Sequence, residues 1–287
     1  VKEEAFMNNL AEKIPLIGRF IKGSERAYVG YLNKMRVDLF SRGADLLEAK
    51  GKTIENSKKD YEGLASWVNN STGRGKMAES LEKAAPLLNS ILFSPRLIAS
   101  RLNILNPLYY AKLPKEIRIM ALKDMAKFIG FGISVLALAK LNGADVDDDP
   151  RSSDFGKIKV GNTRWDIWGG FQQYVRVASQ LLSGQKKSIS TGEIQNLDGE
   201  GAFKSKRSDV LTSFLRGKLS PIPSMAWDFL SGKTVTGEKT TIKNELESHF
   251  LPLIYSDVKE AMKDQGVKSL FTVGIPAAFG IGVSTFS

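Results

Sequence analysis

Apolar residues recur three and four positions apart along most of this chain, the spacing of one face of an α-helix. In SERAYVGYLNKMRVDLFSRGADLLEA, residues 24–49, the positions Ala27, Tyr28, Tyr31, Leu32, Met35, Leu39 and Phe40 fall on such a face. Ser24 followed by Glu25 suits the start of that helix. Residues 5–21 predict an amphipathic helix interrupted at Pro15. Further helices are expected over 55–70, over 77–93 with a bend or break at Pro86, and over 95–110. Pro114 suits the first turn of a long helix that reaches about Leu141. Its second half, FIGFGISVLALA at 128–139, is uncharged all round. That stretch is shorter than the about 20 residues a bilayer requires, so it predicts a buried core helix.

One segment departs from the helical period. In KIKVGNTRWDI, 157–167, Ile158, Val160, Trp165 and Ile167 alternate with polar residues around Gly161-Asn162, a pair suited to a tight hairpin turn. Gly169-Gly170 then open a helix with Phe171, Tyr174, Val175, Ala178, Leu181 and Leu182 on its apolar face and Gly184 as a left-handed stop. NGADVDDDPRSSD (142–154) predicts a solvated acidic loop, and the polar 185–208 another loop. KLSPIPSMAWDFLSGKTVTGE (218–238) predicts a capped corner helix. Pro223 would lie in its first turn, Ile222, Met225, Ala226, Phe229 and Leu230 on one face, and Gly232 at its end. QLLSGQK (180–186) echoes DFLSGKT (228–234): in each, Ser-Gly closes an amphipathic helix and a lysine stands near the negative terminus. The final SLFTVGIPAAFGIGVSTFS (269–287) is uncharged but broken by glycines and Pro276, and predicts a tail packed in a protein groove. The expected fold class is mainly α, a multi-helix domain with one short β-hairpin near 157–167. It divides into a helical portion over 1–141 and a portion over 142–287 holding the hairpin, helices and apolar tail, packed as one continuous unit.

Composition narrows the chemistry more than the fold. At 287 residues, with 42% hydrophobic and 25% charged positions, the chain is long enough and apolar enough for a substantial core. It has no cysteine, which excludes disulfides, thiolate metal sites and cysteine nucleophiles. The single histidine, His249, excludes a multi-histidine metal site, and its apolar neighbours suit a helix-end or core position. No cofactor or metal is expected. The net charge of +10 points to nucleic acid or an anionic membrane surface as a partner, or merely to solubility. Across 86–123 six cations (Arg96, Arg101, Lys112, Lys115, Arg118, Lys123) face Glu116 alone. Arg74, Lys76, Arg96, Arg101, Lys112, Lys186, Lys187, Lys204 and Arg207 are the candidate nucleic-acid contacts. Lys218 and Lys233 are further candidates for anion contact.

Two near-motifs depart from their patterns. STGRGKM (71–77) would need glycine where Asn70 stands and Ser or Thr where Met77 stands to be a phosphate loop. Asp145, Asp147 and Asp149 alternate as in a calcium loop, but Pro150 and Gly156 occupy the positions that loop reserves for glycine and glutamate. Trp165, Trp168, Phe171 and Tyr174 lie near Arg164 and Arg176 in sequence, a set able either to stack on bases or to pack a hairpin on a helix. The second use is the expected one, and no catalytic residue emerges.

Six stretches together resemble one family. They are SERAYVGYLNKMR (24–36), VNNSTGRG (68–75), FSPRLIASR (93–101), VGNTRWDIWGGFQQYVR (160–176), KLSPIPSMAWDFLSGKTVTGE (218–238) and GIPAAFGIGVSTF (274–286). In order they are similar to a large polyvalent protein-associated domain from the C-terminal regions of phage and prophage polyvalent proteins. The resemblance implies a fragment of a very long polypeptide, which agrees with the start at Val1. It implies packaging in the virion and delivery with the genome, and it carries over no catalytic residue. The expectation is a non-catalytic structural or interaction module that is ejected with, or protects, the genome. Its partners would be other virion proteins of the portal, tail or capsid interior, DNA, the host membrane or copies of itself. Its locations would be the virion and then the host cytoplasm or envelope. The alternatives are a membrane-active ejection component using 128–141 and 269–287, and a basic DNA-binding module.

Overall fold

A computed structural model describes residues 17–200, 205–232 and 281–285, with side chains from residue 29 onward except at 221–222 and 285. The protein is mainly α, with ten helices and six short strands among the described residues. Two compact units form, and each is taken by itself. The first takes in residues up to Lys127 together with Leu219–Pro223; the second takes in Phe128–Lys218 and the chain from Ser224 on.

The first unit is helical. It comprises α1 (Ile17–Glu48), α2 (Lys58–Ser71), α3 (Glu79–Lys83), α4 (Ala85–Ile91), α5 (Pro95–Leu105), α6 (Pro107–Lys112) and the opening turns of α7 (Lys115–Leu141). Helix α1 runs unbroken through Gly23-Ser24, so Ser24 lies inside a helix and not at its cap. The predicted helix over 77–93 divides into α3 and α4 with Pro86 in the first turn of α4. The predicted helix over 95–110 divides where Asn106 accepts the Leu108 N–H at 3.0 Å and Pro107 opens α6. The core gathers Leu47, Leu64, Trp67, Val68, Ile104, Ile117 and Ala121, all buried. Close approaches are made where side chains are absent: a Cβ on Gly63 would meet Pro114 at 2.7 Å. Leu219 and Ser220 join this unit through a bridge to Leu92 and a bond from the Ser220 N–H to the Ile91 carbonyl at 2.8 Å.

The second unit is built on a sheet larger than the expected hairpin. Strands β1 (Asp145–Val146), β2 (Ile158–Val160), β3 (Thr163–Asp166) and β6 (Gly282–Thr285) pair antiparallel in the order β1-β2-β3-β6. The hairpin turns at Gly161-Asn162 with Val160 opposite Thr163, as the alternation predicted. Burial does not follow the predicted alternation: Thr163 and Arg164, on opposite faces of β3, are both buried while Val160 is exposed. Strand β6, from within the apolar tail, covers what would have been an edge, setting Val283 opposite Trp165. Of the predicted C-terminal tail only 281–285 is among the described residues.

Helix α8 (Gln172–Ser183) follows Gly169 and Gly170, both at positive φ, and ends at Gly184 with φ 68°. The predicted apolar face is rotated. Gln172, Tyr174, Val177 and Gln180 are buried, and Leu182 is 86% exposed. Residues 185–208 are not simply a loop, because β4 (Gln185–Lys187) and β5 (Ile194–Asn196) pair within them. Helix α9 (Arg207–Arg216) and α10 (Pro221–Ser231) follow, with Pro223 in the first turn of α10 and Gly232 at φ 70° beyond its end, as predicted. The buried positions of α10 are Ser224 and Asp228, whereas Phe229 and Leu230 are exposed, so its predicted apolar face does not pack inward.

Candidate interaction surfaces

The acidic stretch 142–154, expected to be a solvated loop, is exposed at Asn142, Gly143, Asp145 and Asp148, but its other acids are tied down. Asp147 accepts from Lys187 Nζ at 2.8 Å, and Asp149 holds Arg151 through Nε at 3.0 Å and Nη2 at 2.9 Å. Asp154, buried, pairs with Arg164 of β3. The polar side of α8 supplies the remaining partners. Gln172 donates to the Ser153 carbonyl at 3.1 Å, Gln180 to the Arg151 carbonyl at 2.6 Å, and Arg176 to Ser153 Oγ at 3.0 Å. A loop that buries its own backbone must satisfy these carbonyls, and that need explains why α8 turns glutamines inward. Burial raises the Asp147 carboxyl, but the bonds from Lys187, Ser152 and the Asp149 N–H outweigh it and hold the group below its ordinary value. The Arg151 bond lowers Asp149 in the same direction. Asp147, Asp149 and Asp154 are therefore used for architecture, each held by a cation of the chain. No group of three or more metal-ligating acids is found among the described residues.

The STGRGKM turn is likewise structural. Gly75 N–H donates to the Arg96 carbonyl at 3.1 Å, and Thr72 receives Arg36 Nε at 3.0 Å. Met77, in the place of a magnesium-binding hydroxyl, is buried. Asn70, in the place of the first glycine, sits in a polar network with Tyr109 and Asn103.

The candidate nucleic-acid contacts separate into several groups. In the first unit Lys76 and Lys112 are exposed, and Arg74 and Arg101 are half-buried. Arg96 is neutralised by Glu82, with Nη2 2.8 Å from Oε2. In the second unit Lys187 is neutralised by Asp147, and Lys186 donates to Ser205 Oγ at 2.8 Å. Arg207 is exposed. Lys204, Lys233 and His249 lie outside the described residues. The sequence marked all these cations as equivalent, but carboxylates distant in sequence remove two of them from any external role.

The aromatic set is consumed by packing, as expected. Trp168 Nε1 donates to the Gly156 carbonyl at 2.8 Å, and its ring meets Phe128 edge-on at 5.8 Å. Phe171 lies 5.9 Å from Phe128, and Tyr174 meets Phe214 edge-on at 5.2 Å.

Exposed apolar residues are what the sequence reading missed. The stretch 128–139 was expected to be buried all round, yet only Gly132 is fully buried there, against Trp168. Phe131 is 70% exposed, and Ile133, Leu138 and Leu141 are exposed with it. Trp227, Phe229 and Leu230 of α10 are also exposed, Leu230 at 90%. Tyr31, Val37 and Leu46 of α1 add a third such set. Amphipathic periodicity reveals that a helix has an apolar stripe, not whether its own chain covers it. No described helix is long and apolar enough to cross a membrane.

No protein-family model matches this chain, and neither a curated protein nor a solved structure matches it. The likeness to polyvalent proteins stands on the quoted stretches of sequence alone.

Proposed function

We propose that this chain is a non-catalytic interaction module of a phage virion-associated polyvalent protein, packaged in the particle and delivered with the genome. The observation that carries the interaction role is the set of large apolar side chains left exposed on α7 and on α10. Exposed apolar groups at helical spacing mark surfaces that a partner covers. The internal use of the acids agrees with this, since Asp147, Asp149, Asp154 and Asp228 each hold a cation of the chain itself. The virion context comes from the sequence resemblance. Partners would then be other proteins of the portal, tail or capsid interior, or further copies of the chain, and its later location the host cytoplasm or envelope. Mass spectrometry of purified particles tests this: the chain should be present in stoichiometric amount, and its absence from intact particles would overturn the reading.

A second reading, binding of DNA, is favoured by the exposure of Lys76, Lys112 and Arg207, none of which has an acidic partner among the described residues. Such binding should weaken with salt by roughly one logarithmic slope unit per phosphate neutralised. Binding that is absent or insensitive to salt rejects it. The exposed residues of α7 would also suit the surface of a membrane, and failure to float with liposomes removes that alternative.

A further inference from the structure

Within the first unit, α2 carries partners on two of its faces. Tyr61 and Leu64 meet α1: the Tyr61 ring lies 6.4 Å from that of Phe40, and a Cβ on Gly43 would meet Leu64 at 2.5 Å. Gly63, Ser66, Trp67 and Asn70, spaced as one helical face, meet α5, α6 and the opening turns of α7 instead. Ser66 Oγ and Asn70 Nδ2 each lie 3.2 Å from Tyr109 Oη of α6, and Asn70 Oδ1 accepts from Asn103 Nδ2 of α5 at 2.9 Å. Trp67 Nε1 donates to Asp124 of α7 at 3.3 Å, and a Cβ on Gly63 would meet Ile117 of α7 at 3.5 Å. These three helices therefore form one layer on one face of α2. Their opposite sides carry Leu102, Leu105, Leu108, Ile119 and Leu122, between 39% and 66% exposed.

The same outward sides are cationic. Lys112, Lys115 and Lys123 are exposed and have no acidic partner among the described residues. The acids of these segments are committed, Glu116 to Lys50 and Asp124 to Trp67. A nucleic-acid duplex would supply phosphates for the lysines but nothing for the aliphatic side chains between them. An anionic bilayer supplies both, headgroup phosphates for the ammonium groups and acyl chains beneath them for the leucines. No described helix is long and apolar enough to cross a membrane, so the fit is to the surface of a bilayer and not to its interior. We propose that the outer side of α5, α6 and the opening turns of α7 is a docking surface for an anionic membrane. It extends the membrane alternative above to residues separate in sequence from Phe131 and Leu138, and it stands whether or not the chain is a virion protein.

The test floats the full chain with vesicles of phosphatidylglycerol and phosphatidylcholine, with vesicles of phosphatidylcholine alone, and, separately, titrates it with a labelled DNA duplex. The wild type should bind the anionic vesicles, leave the neutral ones, and lose binding as salt is raised. Lys112→Gln, Lys115→Gln and Lys123→Gln should each weaken vesicle binding about fivefold, the size of one cation near an anionic surface. Leu108→Ser should weaken it about tenfold while leaving the melting midpoint and any duplex affinity nearly unchanged. Phe131→Ser with Leu138→Ser should bind vesicles as the wild type does. The comparison of the two vesicles with the wild type needs no variant to fold. Failure to bind anionic vesicles, equal binding to both kinds, or binding that survives the lysine and Leu108 substitutions would overturn the surface. Duplex binding without vesicle binding would overturn it in favour of nucleic acid, and vesicle binding lost only with Phe131 and Leu138 in favour of the second half of α7. Mass spectrometry of particles decides the virion reading separately.

Discussion

Arg164 on β3 holds Asp154 through Nε, 2.9 and 3.2 Å from its two carboxylate oxygens, with both residues buried. The pair fastens the loop between β1 and β2 to an inner strand of its sheet. Removing one member leaves a buried charge unpaired, so Asp154→Ala should destabilise the protein by about 3–5 kcal/mol. Asp154→Ala combined with Arg164→Met should cost less than the two single changes added together. Urea unfolding measures both, and a loss below about 1 kcal/mol for Asp154→Ala would show that the pair is not desolvated.

Gly75 lies where a Cβ would come 2.2 Å from the Ser100 backbone nitrogen. Backbone cannot give way as a flexible side chain can, so Gly75→Ala should destabilise by at least about 1–3 kcal/mol. The adjacent exposed Lys76→Ala should stay within about 0.5 kcal/mol of the wild type. Equal effects of the two substitutions in thermal unfolding would refute the close-approach role.

Asp147 and Asp149 titrate below their ordinary value of 3.8 in the folded protein. A depressed carboxyl stabilises the fold above its unfolded value, and that contribution is lost as pH falls through the folded one. The stability advantage of the wild type over Asp147→Asn should therefore be full at pH 6–7 and shrink below about pH 4. A difference between the two melting midpoints that is constant from pH 7 to pH 3 would contradict this.

Lys218 behaves in the opposite sense. Its folded value of about 8 lies below the ordinary 10.5, so the unfolded chain binds more protons between those limits. In chloride buffer the wild type should gain stability relative to Lys218→Met as pH rises from about 8 towards 10. Parallel pH profiles for the two proteins would exclude a desolvated ammonium at this position.

Phe131 and Leu138 stand one heptad apart on the exposed side of α7. Phe131→Ser with Leu138→Ser should leave the melting midpoint nearly unchanged while reducing binding of an apolar fluorescent dye and capture of virion proteins. A large drop in melting midpoint would instead place these side chains in a covered core.

Local chemistry carried much of the architecture. Proline and asparagine set the starts of α4, α5 and α6, Gly184 and Gly232 set two helix ends, and Gly161-Asn162 set the hairpin, because each acts through backbone angles within a few residues. Periodicity likewise gave α2, α7 and α8 their extents within a few residues. Their orientation was another matter. Gln172 and Gln180 turn inward because the Ser153 and Arg151 carbonyls need donors, and those carbonyls lie 19 and 29 positions away in sequence. Strand β6 pairs with β3 across more than a hundred residues, and no local signal specifies that register.

The cations show the same division. The sequence by itself determined that the chain is basic, lacks cysteine and is mainly helical, since these follow from residue counts and short-range spacing. Only the tertiary structure decided that Arg96 and Lys187 are neutralised by Glu82 and Asp147 while Lys76 and Lys112 stay exposed. Coulomb energy and desolvation depend on distance in space and on access to water, and neither quantity is written in the order of residues along the chain.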